Sequence, residues 1–302
     1  MRTIRVASEP LPVDGLLHLL VLYLVWGSTY LGIRVAVRGG DGFAPFVLGA
    51  TRLAAAGTIL IAWSALRRER VRPTRREAGF LLLTGTLLWL AGNGLVNWAE
   101  TRVVSGYAAL IIGTTPILVA SMESIIDRRA PSWRFIGSII VGFSGLVVLT
   151  LPVIRAGGRG DAVAVAALIM ASLSWGAGLI LFRRRPLGLS PRVASGYQQL
   201  AGAVGFTLTA LVLHERRPPS FDARAEWIAW GWLVTFGSVI AFTSFLQALK
   251  ALPTRIVTSY AYVNPVVAVF LGWLILHEPV TRWTVAGTAL IIAGVAGVFA
   301  NR

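Results

Sequence analysis

The chain has 302 residues, of which 56% are hydrophobic and 14% are charged, and its mean hydropathy is +0.72. Soluble globular domains contain about 45–50% apolar and about 25% charged residues, so this composition excludes that class and indicates a membrane protein. The net charge of +15 does not indicate a nucleic-acid partner, because the basic residues lie in short runs between apolar segments. The absence of cysteine excludes a disulfide framework, a thiolate nucleophile and a cysteine-ligated metal site.

A membrane-spanning helix needs about 20 mostly apolar residues. This length predicts ten spanning helices, joined by loops that are too short to form a separate soluble domain. The first apolar stretch is longer than the roughly 7–15 residues of a signal-peptide core, so we expect it to be retained. In chain order the ten segments cover residues 16–37, 43–66, 78–99, 103–126, 133–151, 161–182, 193–213, 227–249, 255–276 and 283–300.

Basic residues are distributed unevenly between the two sides of the predicted helices. If the N-terminus lies in the cytoplasm, the segments on that side hold more than twice as many Arg and Lys residues as those on the other side. The run from Arg67 to Arg76 is the largest basic cluster. Because cytoplasmic loops are enriched in Lys and Arg, we expect both chain ends to lie in the cytoplasm.

The two halves of the chain repeat the same residues at a constant spacing. The pairs that lie 149 residues apart include Trp26/Trp175, Gly27/Gly176, Arg34/Arg183, Pro116/Pro265 and Gly145/Gly294. The second helices keep the relation with a slip of three residues, as Pro45 and Pro191 show. A spacing shared by four of the five pairs of helices, and kept with this slip by the fifth, indicates that a five-helix unit was duplicated.

A unit with an odd number of helices places its second copy in the membrane from the opposite side. Inverted repeats are common in transporters, and their substrate sites lie near the bilayer midplane where the repeats meet. We therefore predict an all-α membrane fold of ten transmembrane helices around a central cavity. Its two inverted-topology repeats are expected to cover residues 1–152 and 153–302.

Several motifs give the whole chain a resemblance to the drug/metabolite transporter superfamily, and specifically to its ten-helix EamA-type exporters. They are "WGSTYLGIR" at 26–34, "TRLAAAG" at 51–57, "GNGLVNWAE" at 92–100, "TTPILVASMES" at 114–124 and "YVNPVVAVFLGWLILHEP" at 262–279. The resemblance implies two inverted five-helix bundles that export small metabolites across the inner membrane. It assigns no role to Glu278, because the first-half counterpart "DRRAP" lacks the glutamate.

Polar and aromatic side chains at helical spacing indicate which helix faces line the path. Asn93 and Asn97 share one face, which should point to protein or to a wet cavity because polar groups are costly against lipid. These asparagines could also join helices by hydrogen bonds, and Trp26 could pack a helix crossing. The predicted substrate-binding residues are Trp26, Tyr30, Arg52, Trp89, Asn93, Asn97, Tyr107, Trp175, Gln198, Tyr260 and Asn264.

Charged residues inside the predicted helices need a partner or water, because inserting Arg at a helix centre costs roughly 2.5–3.5 kcal/mol. Arg52 could stabilise the cavity or contact a substrate carboxylate. Arg34 and Glu100 end the first and third helices at similar depth, and an ion pair between them would form an outer gate. Glu123 could couple transport to protons, or it could be an ordinary interfacial carboxylate.

The fifth and tenth helices carry only mild polar groups and pairs of small residues that permit close packing, Ser138/Gly142 and Ala293/Gly297. We expect them to form scaffold or dimer contacts, which leaves a monomer and a homodimer open. The expected partners are the lipid bilayer and a small-molecule substrate. We expect no nucleic acid, cofactor or metal to bind.

These observations predict a secondary transporter that exports small amphipathic metabolites by alternating access, with aromatic or hydrophobic amino acids as the first choice. Trp, Tyr and Asn side chains would supply apolar faces and hydrogen bonds, and Arg52 could meet a carboxylate. Drugs, nucleosides and sugars are alternatives within the same superfamily. An intramembrane enzyme is disfavoured because GxSxG, HExxH and P-loop motifs are absent, and a channel would show charged rings or a filter loop.

Overall fold

The computed structural model describes residues 12–37, 42–128, 132–155, 159–215, 218–257 and 259–300. The elements of these ranges are helical, and two of them are π-helical stretches. In chain order they are α1 (Val13–Val37), α2 (Pro45–Leu66), α3 (Arg75–Gly85), π1 (Thr86–Asn93), α4 (Gly94–Ala99), α5 (Ser105–Ile112), α6 (Thr115–Ile126), α7 (Trp133–Arg155), α8 (Arg159–Arg184), α9 (Pro191–Val212), α10 (Arg224–Trp232), π2 (Leu233–Ile240), α11 (Ala241–Ala251), α12 (Thr254–Val257), α13 (Tyr260–Leu276) and α14 (Arg282–Ala300). The predicted placement of the chain ends concerns residues 1–11 and 301–302, which lie outside the described residues.

The starts of three helices are encoded locally. α2 and α9 each begin with a proline, whose missing N–H would have no partner in the first turn of a helix. The side chain of Ser190 accepts a hydrogen bond from the Val193 amide and so caps α9. α3 begins with a capping box, in which the side chains of Thr74 and Glu77 each accept a hydrogen bond from the other's amide.

Two predicted segments contain a π-helical stretch in their middle. π1 joins α3 to α4 and π2 joins α10 to α11, so both stretches lie in the third helix of their half. π-helical turns are rare and occur frequently at functional sites. Faces predicted from 3.6 residues per turn do not hold within these stretches, because a π-helical turn contains more residues and changes which side chains share a face.

A second kind of helix irregularity occurs near proline residues. The fourth predicted segment is divided at Gly113 and Thr114, and Pro116 stands in the first turn of α6. Its counterpart Pro265 lies inside α13. The two prolines therefore have different structural roles, although both stand at the same position of the sequence repeat.

Helices from the two halves of the chain pack against each other in pairs. α2 packs along α9, α7 packs along α14, and α1 contacts α11 and α13. Gly142 of α7 touches Gly294 of α14, and Gly297 faces Ser138. The small residues predicted to permit close packing therefore join α7 to α14 within one chain. This contact agrees with the predicted scaffold role of the two helices. The predicted homodimer is not tested by this contact.

The outer surface is apolar and the interior contains polar side chains. Leu211 and Val212 are 67% and 74% exposed, whereas Arg52 and Asn264 are 2% exposed. Among the described residues, six stretches are long and apolar enough to cross a membrane, with Val263–Leu276 as a shorter apolar helix. These stretches are Val13–Val37, Pro45–Leu66, Arg75–Ala99, Ser105–Ile126, Ala162–Arg184 and Arg224–Ala251. The fold is that of an all-α, multi-pass membrane protein.

Candidate functional site

A cavity with an empty volume of about 630 Å³, including its opening, lies between helices of both halves of the chain. Its walls come from α1, α2, π1, α4, α5, α6, α8 and α13. Eight of the predicted binding residues line it: Trp26, Tyr30, Arg52, Trp89, Asn93, Trp175, Tyr260 and Asn264. The structure thus brings together, in one space, residues that are distant in the sequence.

Aromatic rings form much of the cavity wall. The Trp26 ring lies edge-to-face against Trp175 and Tyr260, with centroid distances of 5.7 and 4.8 Å. Trp89 continues the cluster at 6.2 Å from Trp175 and 4.8 Å from Phe242. Such pairs are favourable when one ring edge meets another ring face. Trp26 and Trp175 therefore pack helix crossings and line the cavity at once, so the two alternatives weighed for them are compatible.

Hydrogen bonds hold two of these rings in place. Trp26 donates from Nε1 to the Gly237 carbonyl oxygen at 3.1 Å. Trp175 donates from Nε1 to the Tyr260 hydroxyl at 3.0 Å. Because each indole N–H bonds to a residue of the second half of the chain, these bonds fix the rings relative to that half.

Arg52 is the cation of the cavity. Its Nε donates to Ser238 Oγ at 2.8 Å, and its guanidinium carbon lies 5.6 Å from the centroid of the Trp89 ring. In the described part of the chain, no carboxylate forms an ion pair with Arg52, and its Nη1 has no hydrogen-bond partner. A buried guanidinium with unused donors can bind an anion such as a carboxylate.

Three further polar atoms of the cavity-lining residues lack partners within the described ranges. They are Trp89 Nε1, Asn93 Oδ1 and Asn264 Oδ1. Buried polar groups are normally hydrogen-bonded, so unpaired ones call for a specific explanation. With Arg52, the site offers two donor groups and two acceptor groups beside apolar rings, which suits a small ligand that carries both an anionic and a cationic group.

The structure places three predicted binding residues outside the cavity. Asn97 donates from Nδ2 to the Pro45 carbonyl oxygen at 3.2 Å, and Gln198 donates from Nε2 to Thr84 Oγ1 at 2.9 Å. Tyr107 is 7% exposed and belongs to an apolar cluster. Asn97 stands four residues after Asn93, in the regular helix α4, and its side-chain amide donates to the main chain of α2 instead of lining the cavity.

Arg34 and Glu100 meet, although not as the sequence predicted. Arg34 donates from Nη1 to the main-chain carbonyl oxygen of Glu100 at 2.6 Å. The Glu100 side chain is fully buried, and neither of its carboxylate oxygens has a hydrogen-bond partner among the described residues. The predicted ion pair is therefore not formed in this conformation, because the Arg34 guanidinium bonds to the main chain of Glu100 instead of to its carboxylate. The gate itself stays a prediction.

Glu123 lies away from the cavity, near the end of α6. It forms an ion pair with Arg183 of α8 at 3.4 Å, and a second pair joins Asp127 to Arg184 at 2.5 Å. The Glu123 and Arg183 side chains are 30% and 44% exposed. This environment is that of an interfacial carboxylate, and its predicted part in proton coupling is not tested by the geometry.

The sequence analysis missed two cavity-lining threonines. Thr29 stands three residues after Trp26, so the helical spacing used for that face already contained the signal. Thr115 donates to Ser172 Oγ at 3.0 Å across α6 and α8. Thr115 stands three residues after Ile112, another cavity-lining residue, and this spacing places both on one helix face.

Comparisons with known proteins converge on one family. The EamA-like transporter family model matches the chain twice, over residues 14–151 and 162–300. The uncharacterized inner membrane transporter YedA of Escherichia coli (strain K12) is 32% identical, over 87% of this chain and 82% of YedA. The probable terminal-alkyne amino-acid exporter of Streptantibioticus cattleyicolor is 28% identical, over 92% of this chain and 90% of that protein.

A more distant relative and a solved structure extend the comparison. The S-adenosylmethionine/S-adenosylhomocysteine transporter of Chlamydia trachomatis serovar L2 is 24% identical, over 84% of this chain and 79% of that protein. A crystal structure with 20% sequence identity superposes with a TM-score of 0.69, over 94% of this chain and 96% of that chain. At this identity, the superposition shows a shared fold.

Proposed function

The chain belongs to the EamA-like transporter family of the drug/metabolite transporter superfamily, and we propose that it exports small amphipathic metabolites by alternating access. Amino acids, and first those with aromatic or other hydrophobic side chains, are the proposed substrates. The proposed location is the inner membrane.

The proposed architecture has ten membrane crossings arranged as two inverted repeats, residues 1–152 and 153–302, with both chain ends in the cytoplasm. The double match of the family model and the constant spacing between the halves support the repeats. The position of π1 and π2 in corresponding helices is a further symmetric feature. The excess of basic residues on one side supports the orientation.

One observation carries the substrate class: unpaired donors and unpaired acceptors line the same aromatic cavity. The Arg52 guanidinium suits the carboxylate of an amino acid, and the Asn93 and Asn264 side-chain oxygens suit its ammonium group. The rings of Trp26 and Trp175 would contact an apolar side chain. A relative whose name denotes an amino-acid exporter supports the same class.

Nucleosides, drugs and sugars are the alternatives within the superfamily. A nucleoside would stack on the same rings, and one relative is named as a transporter of S-adenosylmethionine. A neutral sugar or nucleoside would leave the Arg52 charge without a counter-ion, which is unfavourable in a buried site. The amino-acid proposal accounts for this charge and for the rings together.

The test is release from proteoliposomes preloaded with amino acids, nucleosides and sugars, followed by mass spectrometry. We expect selective loss of amino acids, and Asn93→Ala should abolish it. The matched control is Thr58→Ala, an exposed residue of the helix that carries Arg52, which should leave release unchanged. Selective release of nucleosides or sugars would overturn the substrate class, and no selective release of anything would overturn the export proposal.

A further inference from the structure

Glu69 and Glu215 stand at equivalent positions after α2 and α9. Each follows a residue with a left-handed backbone, since φ is 56° at Arg68 and 51° at His214. The Glu69 amide bonds to the Ser64 carbonyl oxygen at 3.0 Å, and the Glu215 amide bonds to the Ala210 carbonyl oxygen at 2.9 Å. A bond from the amide of residue i+5 to the carbonyl oxygen of residue i is typical of a Schellman motif. Both helices therefore end in the same way, and each motif ends with a glutamate.

Each glutamate binds the start of the other helix. Glu69 accepts a hydrogen bond from Ser190 Oγ at 2.5 Å and is paired with Arg192, both at the beginning of α9. Glu215 accepts hydrogen bonds from the Phe46 and Val47 amides, at 2.9 Å each, at the beginning of α2. The free amides and positive end of a helix N-terminus favour a carboxylate there. The end of each helix is thus joined to the start of its neighbour.

Between their joined ends, the two helices also approach each other through their backbones, near the middle of α2 and in the second turn of α9. A Cβ atom on Gly57 would lie 2.9 Å from the Gly196 carbonyl oxygen, and one on Gly196 would lie 3.2 Å from the Gly57 carbonyl oxygen. Because neither glycine has a side chain, the two backbones can approach closely here. α2 and α9 are therefore in contact at both ends and at a point between them.

We propose that α2 and α9 stay together throughout the transport cycle and form its fixed axis, with Glu69 and Glu215 as the positioning residues that hold the two ends. This inference rests on the proposed transport function. Parting the helices at either end would strip a carboxylate of its hydrogen bonds, and at the Glu215 end it would also leave the Phe46 and Val47 amides of α2 without a partner. The cavity then opens between other helices, and Arg52, carried by α2, keeps its place while they move.

The experiment uses the absence of cysteine in the chain, so that engineered pairs react alone. One pair is Arg70→Cys with Gly188→Cys, two exposed neighbours at the first end, and the other is His214→Cys with Ala44→Cys at the second end, so that Glu69 and Glu215 stay in place. Each pair is linked with a short bis-methanethiosulfonate reagent, and release of preloaded phenylalanine from proteoliposomes is measured before linking, after linking and after reduction. Single-cysteine variants treated with the same reagent are the controls for modification alone.

If the axis is fixed, linking both ends leaves release equal to that of the same variant before linking. A loss of release on linking that reduction restores would overturn the proposal, because it would show that the helices must part. If the unlinked variants and the parent protein all fail to release phenylalanine, the failure concerns the substrate and not the axis.

If phenylalanine is not a substrate, the fixed position of α2 against α9 can still be tested by a measurement that needs no substrate. Spin labels on the same cysteine pairs report the distance between the helix ends in liposomes. A fixed axis gives one narrow distance at each end, with and without a mixed pool of amino acids, nucleosides and sugars. Two distances, or a shift on adding the pool, would overturn the proposal.

Discussion

Arg52 donates a hydrogen bond from Nε to Ser238 Oγ at 2.8 Å and thereby joins α2, in the first half of the chain, to π2, in the second half. The bond uses the Nε–H of the guanidinium and leaves Nη1 without a partner among the described residues. A side chain held in this way is oriented before any ligand arrives, which lowers the entropy lost on binding.

The first prediction concerns recognition of a carboxylate by Arg52. Arg52→Gln removes a charged hydrogen bond worth about 1.5–3 kcal/mol, so phenylalanine should bind about ten- to a hundredfold more weakly. Phenylethylamine lacks the carboxylate and carries only a positive charge, so it should not lose affinity when Arg52 is replaced. Binding is measured by calorimetry in detergent. Equal weakening for both ligands would contradict a specific contact with the carboxylate.

The second prediction concerns the backbone contact between α2 and α9. Gly57→Ala places a methyl group 2.9 Å from a carbonyl oxygen of α9, and overpacking of this kind destabilises by about 1–3 kcal/mol. The thermal midpoint in detergent should fall. Gly79→Ala is the matched control, since a Cβ there meets no atom within 4 Å, and alanine favours a helix over glycine by about 1 kcal/mol. A lower midpoint for the control as well would show that close packing is not the cause.

The third prediction concerns the gate. Glu100→Gln replaces a fully buried carboxylate that has no hydrogen-bond partner among the described residues, so the thermal midpoint should rise. If Glu100 pairs with Arg34 in another conformation of the cycle, the same variant should transport more slowly. Transport is measured as a rate in proteoliposomes, with Arg34 left intact. An unchanged rate would show that the gate hypothesis is wrong.

The fourth prediction concerns pH. Partial burial raises the pKa of Glu69, but the hydrogen bonds from Ser190 and Arg192 outweigh it and hold the pKa below its ordinary value. Glu69 therefore stabilises the fold above the ordinary glutamate pKa of about 4.3, and this stabilisation is lost as the pH falls through the lowered pKa. The difference in thermal midpoint between the parent protein and Glu69→Gln should be constant near neutral pH and shrink in acid.

The contribution of Glu215 to stability is expected to change with pH in the opposite direction, so Glu215 serves as the comparison for Glu69. Burial raises its pKa, although the hydrogen bonds from the Val47 and Phe46 amides lower it in part. The contribution of Glu215 to stability should therefore decrease as the pH rises from its ordinary pKa through the raised one. Parallel titrations of Glu69→Gln and Glu215→Gln test this difference, and curves of the same sign would contradict it.

The sequence by itself determined the class of the protein and half of the residues that line the cavity. Composition and the length of apolar runs predict a helical membrane protein because lipid admits only apolar, internally hydrogen-bonded segments. The shared spacing of Trp26 and Trp175 predicts duplication. Helical periodicity placed Trp26 and Tyr30 on the cavity side, because the face of a regular helix follows from residue spacing alone.

Only the tertiary structure decided the remaining relationships, because they depend on irregular backbone or on contacts between distant segments. Asn97 donates a hydrogen bond to the main chain of Pro45, which lies 52 residues away, and it therefore does not line the cavity. Arg34 binds the main chain of Glu100, and residue types cannot predict a bond to a carbonyl oxygen that every residue carries. Glu69 and Glu215 each reach the start of the other's helix, which no local pattern reveals. Local periodicity encodes helix faces, whereas packing between the halves selects the partners of their polar groups.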